Sequence, residues 1–180
     1  MHKVLETSRL ILREFIPGDA DALARVISDP ETMRFYPSPF DRADVEEWIA
    51  RNIRRYRANG YGLWAVDLKA TGEMIGDSGI SLQEVDGEHL PEIGYHLRRD
   101  LWGQGLATEA ALACRDYGFR VLEADLLIAL IRPENVASGR VAVRNGMKAW
   151  KDTVRVGLWH SVYRISRAEW ALLVDSGSAK

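Results

Sequence analysis

The chain has a single cysteine, Cys114, which excludes an internal disulfide and fits a reducing compartment. It has no surplus of charge of either sign. Its 24 Lys and Arg against 26 Asp and Glu leave a net charge of −2, so the electrostatic footprint of a nucleic-acid binder is missing. No apolar run is long enough to span a bilayer, and the N-terminus lacks the apolar core of a signal peptide. A soluble, cytoplasmic protein without membrane partners is expected. The four histidines, His2, His89, His96 and His160, are scattered with no ligand-like spacing, so no metal is expected. No repeat, linker or low-complexity segment interrupts the chain. Its 180 residues, 47% of them hydrophobic, suffice for one domain over 1–180 with a sizeable core.

What is present is periodicity that changes from two to 3.6 and back. Leu10 to Phe15 alternates like a half-buried strand, and Pro17-Gly18-Asp19 breaks it. Asp19 is expected to cap a helix carrying Leu23, Val26 and Ile27, and Asp41 a second helix from Arg42 to about Ala58. On that second helix Glu47 and Arg51 stand four apart and are expected to pair. Asn59-Gly60 stops it. Gly62 to Leu68 and Met74 to Val85 read as neighbouring antiparallel strands. Asp86-Gly87 then turns the chain into a strand containing Glu92 to Leu97.

After that strand comes Asp100-Leu101-Trp102-Gly103-Gln104-Gly105-Leu106-Ala107-Thr108-Glu109-Ala110, whose second half opens a helix with Ala110, Ala113, Cys114 and Tyr117 at helical spacing. Cys114 falls on the apolar face of that helix, where it reads as a small buried hydrophobe rather than a nucleophile. A glycine turn entering a helix exposes successive N–H groups at the positive end of the helix dipole, an arrangement suited to phosphate. Asp125 to Ile131 reads as a central strand ended by Pro133, followed by a helix from about Asn135. Strands at Ala149 to Arg155 and Trp159 to Ser166 precede a short segment, Glu169 to Val174. Strands before and after two helices indicate an α/β (α+β) protein, a three-layer α/β/α sandwich around a mostly antiparallel mixed sheet.

Two segments carry a resemblance. Trp-Gly-x-Gly-Leu-Ala-Thr-Glu-Ala at residues 102–110 resembles the pyrophosphate loop of the GNAT acetyltransferases, in the branch that includes the ribosomal-protein N-terminal (alanine/serine) acetyltransferases. Asn135-Val136-Ala137-Ser138 through Arg144-Asn145-Gly146-Met147 resembles the later helix of the same branch. The opening Ser8 to Arg13 and the closing Val162 to Trp170 are also similar to it. The resemblance implies an acyltransferase with a sheet splayed at an acyl-CoA site. It implies acetyl-CoA as co-substrate, and as acceptor an amine on a small molecule or protein N-terminus; a homodimer is open. The backbone at Leu97 would pair with the pantetheine. Trp102, Gly103, Gln104, Gly105, Leu106 and Ala107 would surround the pyrophosphate, with Thr108 adding a hydroxyl. Trp102 has the alternative of sealing the core beside the loop.

Acetyl transfer to an amine needs a base, a stabilised oxyanion and a proton for the leaving thiolate. Glu92, on the strand before the loop, is the first candidate base, against a reading as a surface carboxylate. His160 is the second, because an ordinary imidazole titrates near neutrality. By resemblance Asn135 binds the pantetheine or caps its helix, and Ser138 protonates the thiolate unless it is only a helix-start residue. The family's frequent tyrosine acid is replaced by Ala142, and Asp100 brings a negative charge close to the phosphate loop. Those two departures keep open a non-catalytic acyl-CoA-binding or sensing module of the same fold.

Overall fold

A computed structural model describes residues 2–177. Eight strands run β1 Lys3–Glu6, β2 Leu10–Arg13, β3 Leu63–Leu68, β4 Met74–Val85, β5 Glu88–Leu97, β6 Leu126–Ile131, β7 Lys148–Arg155 and β8 Leu158–Ser166. Five helices join them: α1 Ala20–Ile27, α2 Arg42–Asn59, α3 Leu106–Arg120, α4 Val136–Arg144 and α5 Arg167–Gly177. The strands form one sheet in the order β1-β2-β3-β4-β5-β6-β8-β7. β5 and β6 are parallel, registered at Glu92 and Ile128. The pairs β1–β2, β2–β3, β3–β4, β6–β8 and β8–β7 are antiparallel.

The contacts divide the chain into two compact units. One gathers the chain up to Ser81 with Gly94–Cys114, the other Leu82–Ile93 with the chain from Arg115 onward. In the first, α1 and α2 bury Leu23, Val26, Ile27, Val45 and Ile49 with Ala65 of β3 and Met74 of β4. In the second, Val85, Ile128 and Val162 form a smaller cluster flanked by Leu90, Leu126 and Leu130. The sheet's rims are β1, four residues long, and β7, which carries Lys148, Lys151 and Arg155. On β7 Trp150 is covered by cations, Lys151 Nζ at 4.6 Å and the Arg164 guanidinium at 4.8 Å from the ring centre.

Most elements follow the local sequence. Asp41 accepts from the Asp44 N–H at 2.9 Å, and Asp44 reaches back to the Asp41 N–H at 3.2 Å, so α2 begins with a reciprocal cap. Asp86 and Gly87 have φ of 52° and 87°, the pair of left-handed residues that a two-residue hairpin turn requires.

Two expectations are corrected, each by a stronger partner. Asp19 makes no side-chain cap to α1. It is buried, and both its oxygens accept from the Arg13 guanidinium at 2.8 and 2.9 Å. Arg13 also donates to Asp67 at 2.6 and 3.1 Å. Burial works against the Arg13 charge, but its bonds to Asp19 and Asp67 outweigh that and hold it protonated more firmly than usual. Glu47 pairs not with Arg51 but with Arg54, one helical turn further on. Arg51 lies over the Trp48 ring, 4.7 Å from its centre, a cation–π contact that an exposed carboxylate does not better. β1 was not anticipated.

Removing one partner of a buried ion cluster leaves uncompensated charge. Arg13→Leu should therefore destabilise the chain by about 3–5 kcal/mol, read as a lower urea midpoint at unchanged slope.

Candidate active site

The turn between β5 and α3 is built from short-range bonds. The Gly105 carbonyl accepts from the Glu109 N–H at 3.0 Å, so α3 starts at Leu106. The N–H groups of Leu106, Ala107 and Thr108 fall in the first turn, where no intrahelical acceptor is available. Trp102, Gly103, Gln104 and Gly105 are exposed. Gly103 and Gly105 have φ of +77° and +78°. A Cβ on Gly103 would meet nothing within 4 Å, and one on Gly105 only the Arg9 guanidinium at 3.7 Å. Backbone conformation, not crowding within the chain, demands glycine at both positions. Trp102 serves the loop: its indole N–H donates to the Leu97 carbonyl at 2.8 Å, bracing the end of β5 against the turn. That carbonyl, one of the groups expected to face pantetheine, thus already carries one bond.

A further cation lies beside this turn. Arg9 donates through Nη1 to the Gln104 carbonyl at 2.9 Å and through Nε to Glu109 at 2.6 Å. Glu109, in the first turn of α3, also accepts from the Thr7 hydroxyl at 2.6 Å, the Ser8 hydroxyl at 3.0 Å and the Arg9 N–H at 2.9 Å. Burial alone would raise its pKa, but the bonds from Thr7, Arg9 and Ser8 prevail and hold it at about 2. Arg9 lies in a segment recognisable from sequence but shows no task there, because only folding brings it to residues some 95 positions away. Asp100 is neutralised locally: Arg98 grips both its oxygens at 2.7 and 3.1 Å, and this pairing lowers its pKa.

In the other unit, Glu92 is half-buried and one oxygen accepts from the Leu130 N–H of β6 at 3.3 Å. Asn135 caps α4, its Oδ1 accepting from the Ser138 N–H at 3.1 Å. Ser138 sits in that first turn, half-buried. Asn135 also lines a groove of about 470 Å³, together with Gly139 and Tyr163 and with Arg132, Arg140 and Arg144. The Tyr163 hydroxyl reaches 3.5 Å from where a Gly139 Cβ would stand. Neither this tyrosine nor the arginines were singled out from sequence. Ala142, in the place of the frequent tyrosine acid, is 2% exposed and part of the core.

His160 donates from Nδ1 to the Leu158 carbonyl at 2.9 Å, which leaves Nε2 as the basic nitrogen. Burial, then Arg132 and Arg155, push its pKa below the ordinary histidine value, so it is neutral near pH 7. Cys114 is fully buried and its thiol is pushed up to about 12, the setting of a packing residue. Among the described residues no group of three or more His, Cys, Asp and Glu could hold a metal ion, and no helix is long and apolar enough to cross a membrane.

The fold and the glycine turn define an acyltransferase class, and comparison with known proteins agrees. The profile of the acetyltransferase (GNAT) domain matches residues 9–148. An uncharacterized Bacillus subtilis protein, YkkB, is 39% identical over 152 residues, covering 84% of this chain and 88% of its own. An uncharacterized N-acetyltransferase of Bacillus licheniformis, p20, is 34% identical over 139 residues, covering 76% and 77%. A crystal structure of an acetyltransferase from Agrobacterium tumefaciens superposes with a TM-score of 0.78 at 30% identity, over 89% of this chain and 92% of that one. A structure named as a ribosomal-protein-serine acetyltransferase from Vibrio cholerae shares the fold, with a TM-score of 0.75 at 22% identity over 92% and 99%. The chain belongs to the GNAT family of N-acetyltransferases.

The Glu109 carboxylate ties the turn to the N-terminal strands, and its titration should be visible in stability. With a folded value of about 2 against an ordinary 4.5, its contribution is complete above pH 4.5 and disappears as pH falls towards 2. The stabilisation at stake is on the order of 3 kcal/mol. Glu109→Gln should lower the Tm at pH 7 and flatten the fall of Tm on acidification, as followed by circular dichroism.

Proposed function

We propose that the chain passes the acetyl group of acetyl-CoA directly to a primary amine, on a protein N-terminus or a small molecule, in a ternary complex. The observation that carries this reading is the exposed Gly103–Gly105 turn into α3, braced by Arg9 and Trp102. A pyrophosphate wants several convergent donors, and the first-turn N–H groups supply them on a backbone already fixed. The family match spans both compact units, which supports 1–180 as one functional domain. The pairing of Asp100 with Arg98 removes one ground for a merely binding module, since that negative charge is balanced within the turn.

Each remaining role follows from what the reaction lacks. A lysine-like amine is neutral about once in 2,500 molecules at pH 7, an α-amine about once in ten. Glu92 is the base for the acceptor nitrogen as it adds to the thioester, directly or through water, and the neutral His160 is the second candidate. Asn135 orients the pantetheine while its side chain caps α4. Ser138 gives the departing thiolate a hydrogen bond.

Acetyl-CoA should raise the Tm by mass action. Gly105→Val, with a branched Cβ forced to φ +78° beside the phosphate position, should abolish that shift. An unchanged Tm at millimolar acetyl-CoA overturns the reading. Thiol release should be screened with seryl and alanyl peptides, a blocked lysine peptide, spermidine and kanamycin; silence from every amine despite binding would favour a sensing module.

With an accepted amine, Ser138→Ala should lower kcat about ten- to a hundredfold, the loss of one hydrogen bond to a charged group, at unchanged acetyl-CoA affinity. Glu92→Gln keeps an acceptor for the Leu130 N–H, so a lower kcat there reads the lost base rather than lost structure. Unchanged turnover in either variant removes that residue's role.

A further inference from the structure

Three polar side chains that the reading above does not use form a continuous chain in the first unit. Asp77 of β4 is fully buried and His96 of β5 is 9% exposed. The Asp77 carboxylate meets His96 Nδ1 at 2.8 Å and accepts from the Trp48 indole N–H at 2.8 Å. On the other side of the ring, His96 Nε2 lies 2.6 Å from the Tyr36 hydroxyl. A carboxylate can only accept, so Nδ1 carries the proton. In the neutral ring Nε2 is then the acceptor, and Tyr36 donates to it. The order is buried carboxylate, imidazole, hydroxyl, the arrangement that activates a hydroxyl in nucleophilic and general-base sites.

The chain ends at the surface. Tyr36 is 41% exposed, on the turns between α1 and α2, and its backbone is tied by its N–H to the carbonyl of the buried Met33 at 2.8 Å. Trp48 holds the His96 ring edge-on, with centroids 5.7 Å apart. The close approach of β4 and β5 here depends on Gly76, where a Cβ would stand 2.0 Å from the His96 carbonyl oxygen. His96 is followed by Leu97, the residue to which the turn's Trp102 is bonded. The relay therefore sits at the end of the strand that feeds the candidate phosphate turn.

We propose that Tyr36, His96 and Asp77 form a proton relay that neutralises the ammonium form of the acceptor. The inference rests on the amine-acetyltransferase reading and deepens it. An ammonium acceptor sheds two protons on its way to an amide, one before attack and one from the tetrahedral adduct. The relay takes the first. The ammonium N–H bond breaks and its proton bonds to Tyr36 Oη, while the Tyr36 O–H proton bonds to His96 Nε2. The products are a neutral amine, an intact phenol and an imidazolium stabilised by the Asp77 carboxylate. The imidazolium returns its proton to water through Tyr36. Glu92 takes the second proton. Tyr36 is thus a catalytic residue, and His96 and Asp77 act through it. Titratable groups near the relay include Tyr56 of α2, whose hydroxyl donates to the Leu63 carbonyl and which lies within electrostatic reach of Asp77, and Arg51, stacked on Trp48.

The test is the pH dependence of Tyr36→Phe with the amine that turns over in the panel. Phenylalanine keeps the ring, and the Tm should stay close to wild type. At pH 7, kcat/KM for an ammonium acceptor should fall about a hundredfold or more. The deficit should shrink up to about tenfold per pH unit between 6 and 9, as bulk water supplies the free amine. A deficit equal at every pH, or none, overturns the relay and leaves Tyr36 a packing residue. Asp77→Asn should give the same pH-dependent deficit if it folds. Independently of any acceptor, nitrogen-15 NMR of the wild-type chain should find neutral His96 protonated at Nδ1, and protonation at Nε2 would overturn the proposal. If acetyl-CoA binds but no amine releases thiol, the acetyltransferase reading itself fails and the relay falls with it, an outcome distinct from a silent Tyr36→Phe in an active enzyme.

Discussion

One carboxylate fixes where α3 begins. Glu109 collects the hydroxyls of Thr7 and Ser8, the Arg9 N–H and the Arg9 side chain, and so joins the β1–β2 connection to the first turn of a helix a hundred residues later in the chain. Two properties of the glycine turn follow from that anchorage. With the helix start fixed, the N–H groups of residues 106–108 point out of a defined first turn rather than a frayed one, and Arg9 is held against the Gln104 carbonyl. The helix N-terminus also favours the Glu109 charge, so the dipole that suits a phosphate helps keep the anchor ionised.

Three of the half- or fully buried carboxylates, Asp19, Glu109 and Asp77, are held in three different ways, and the difference tracks use. Asp19 is matched by a guanidinium in a bidentate grip, an arrangement that fixes geometry and moves no proton. Glu109 is saturated with donors and titrates far below neutrality. Asp77 faces an imidazole and an indole, so its charge is balanced only by hydrogen bonds until the imidazole is protonated. Of the three settings, the last alone sets the carboxylate against a ring that can take up a proton.

Much of this was legible in the sequence. Periodicity and capping gave seven of the eight strands and four of the five helices among the described residues, α5 having read only as a short segment, because these signals are local: Asp41 sees Asp44, and Asp86-Gly87 dictates its own turn. The Gly103–Gly105 motif, with Glu109 in it, is likewise contiguous. What sequence could not give was partner choice at a distance. Asp19 reads as a helix cap until Arg13 is seen to be buried beside it, and Arg51 reads as the partner of Glu47 until Trp48 offers its ring. β1 was missed because four residues carry too little pattern. His96 read as one of four scattered histidines, since Asp77 and Tyr36 lie 19 and 60 positions away.

The rims of the sheet have a consequence for the behaviour of many copies together. An exposed edge of unpaired N–H and C=O groups is a template on which another chain can grow as an added strand. Here one rim is a four-residue strand and the other carries Lys148, Lys151 and Arg155, with its exposed tryptophan shielded by cations. A strand docking on β7 would have to bring its own backbone past those charged side chains, two of them held in ion pairs with Glu169 and Asp86. Both features oppose the growth of a second chain's strand on this sheet.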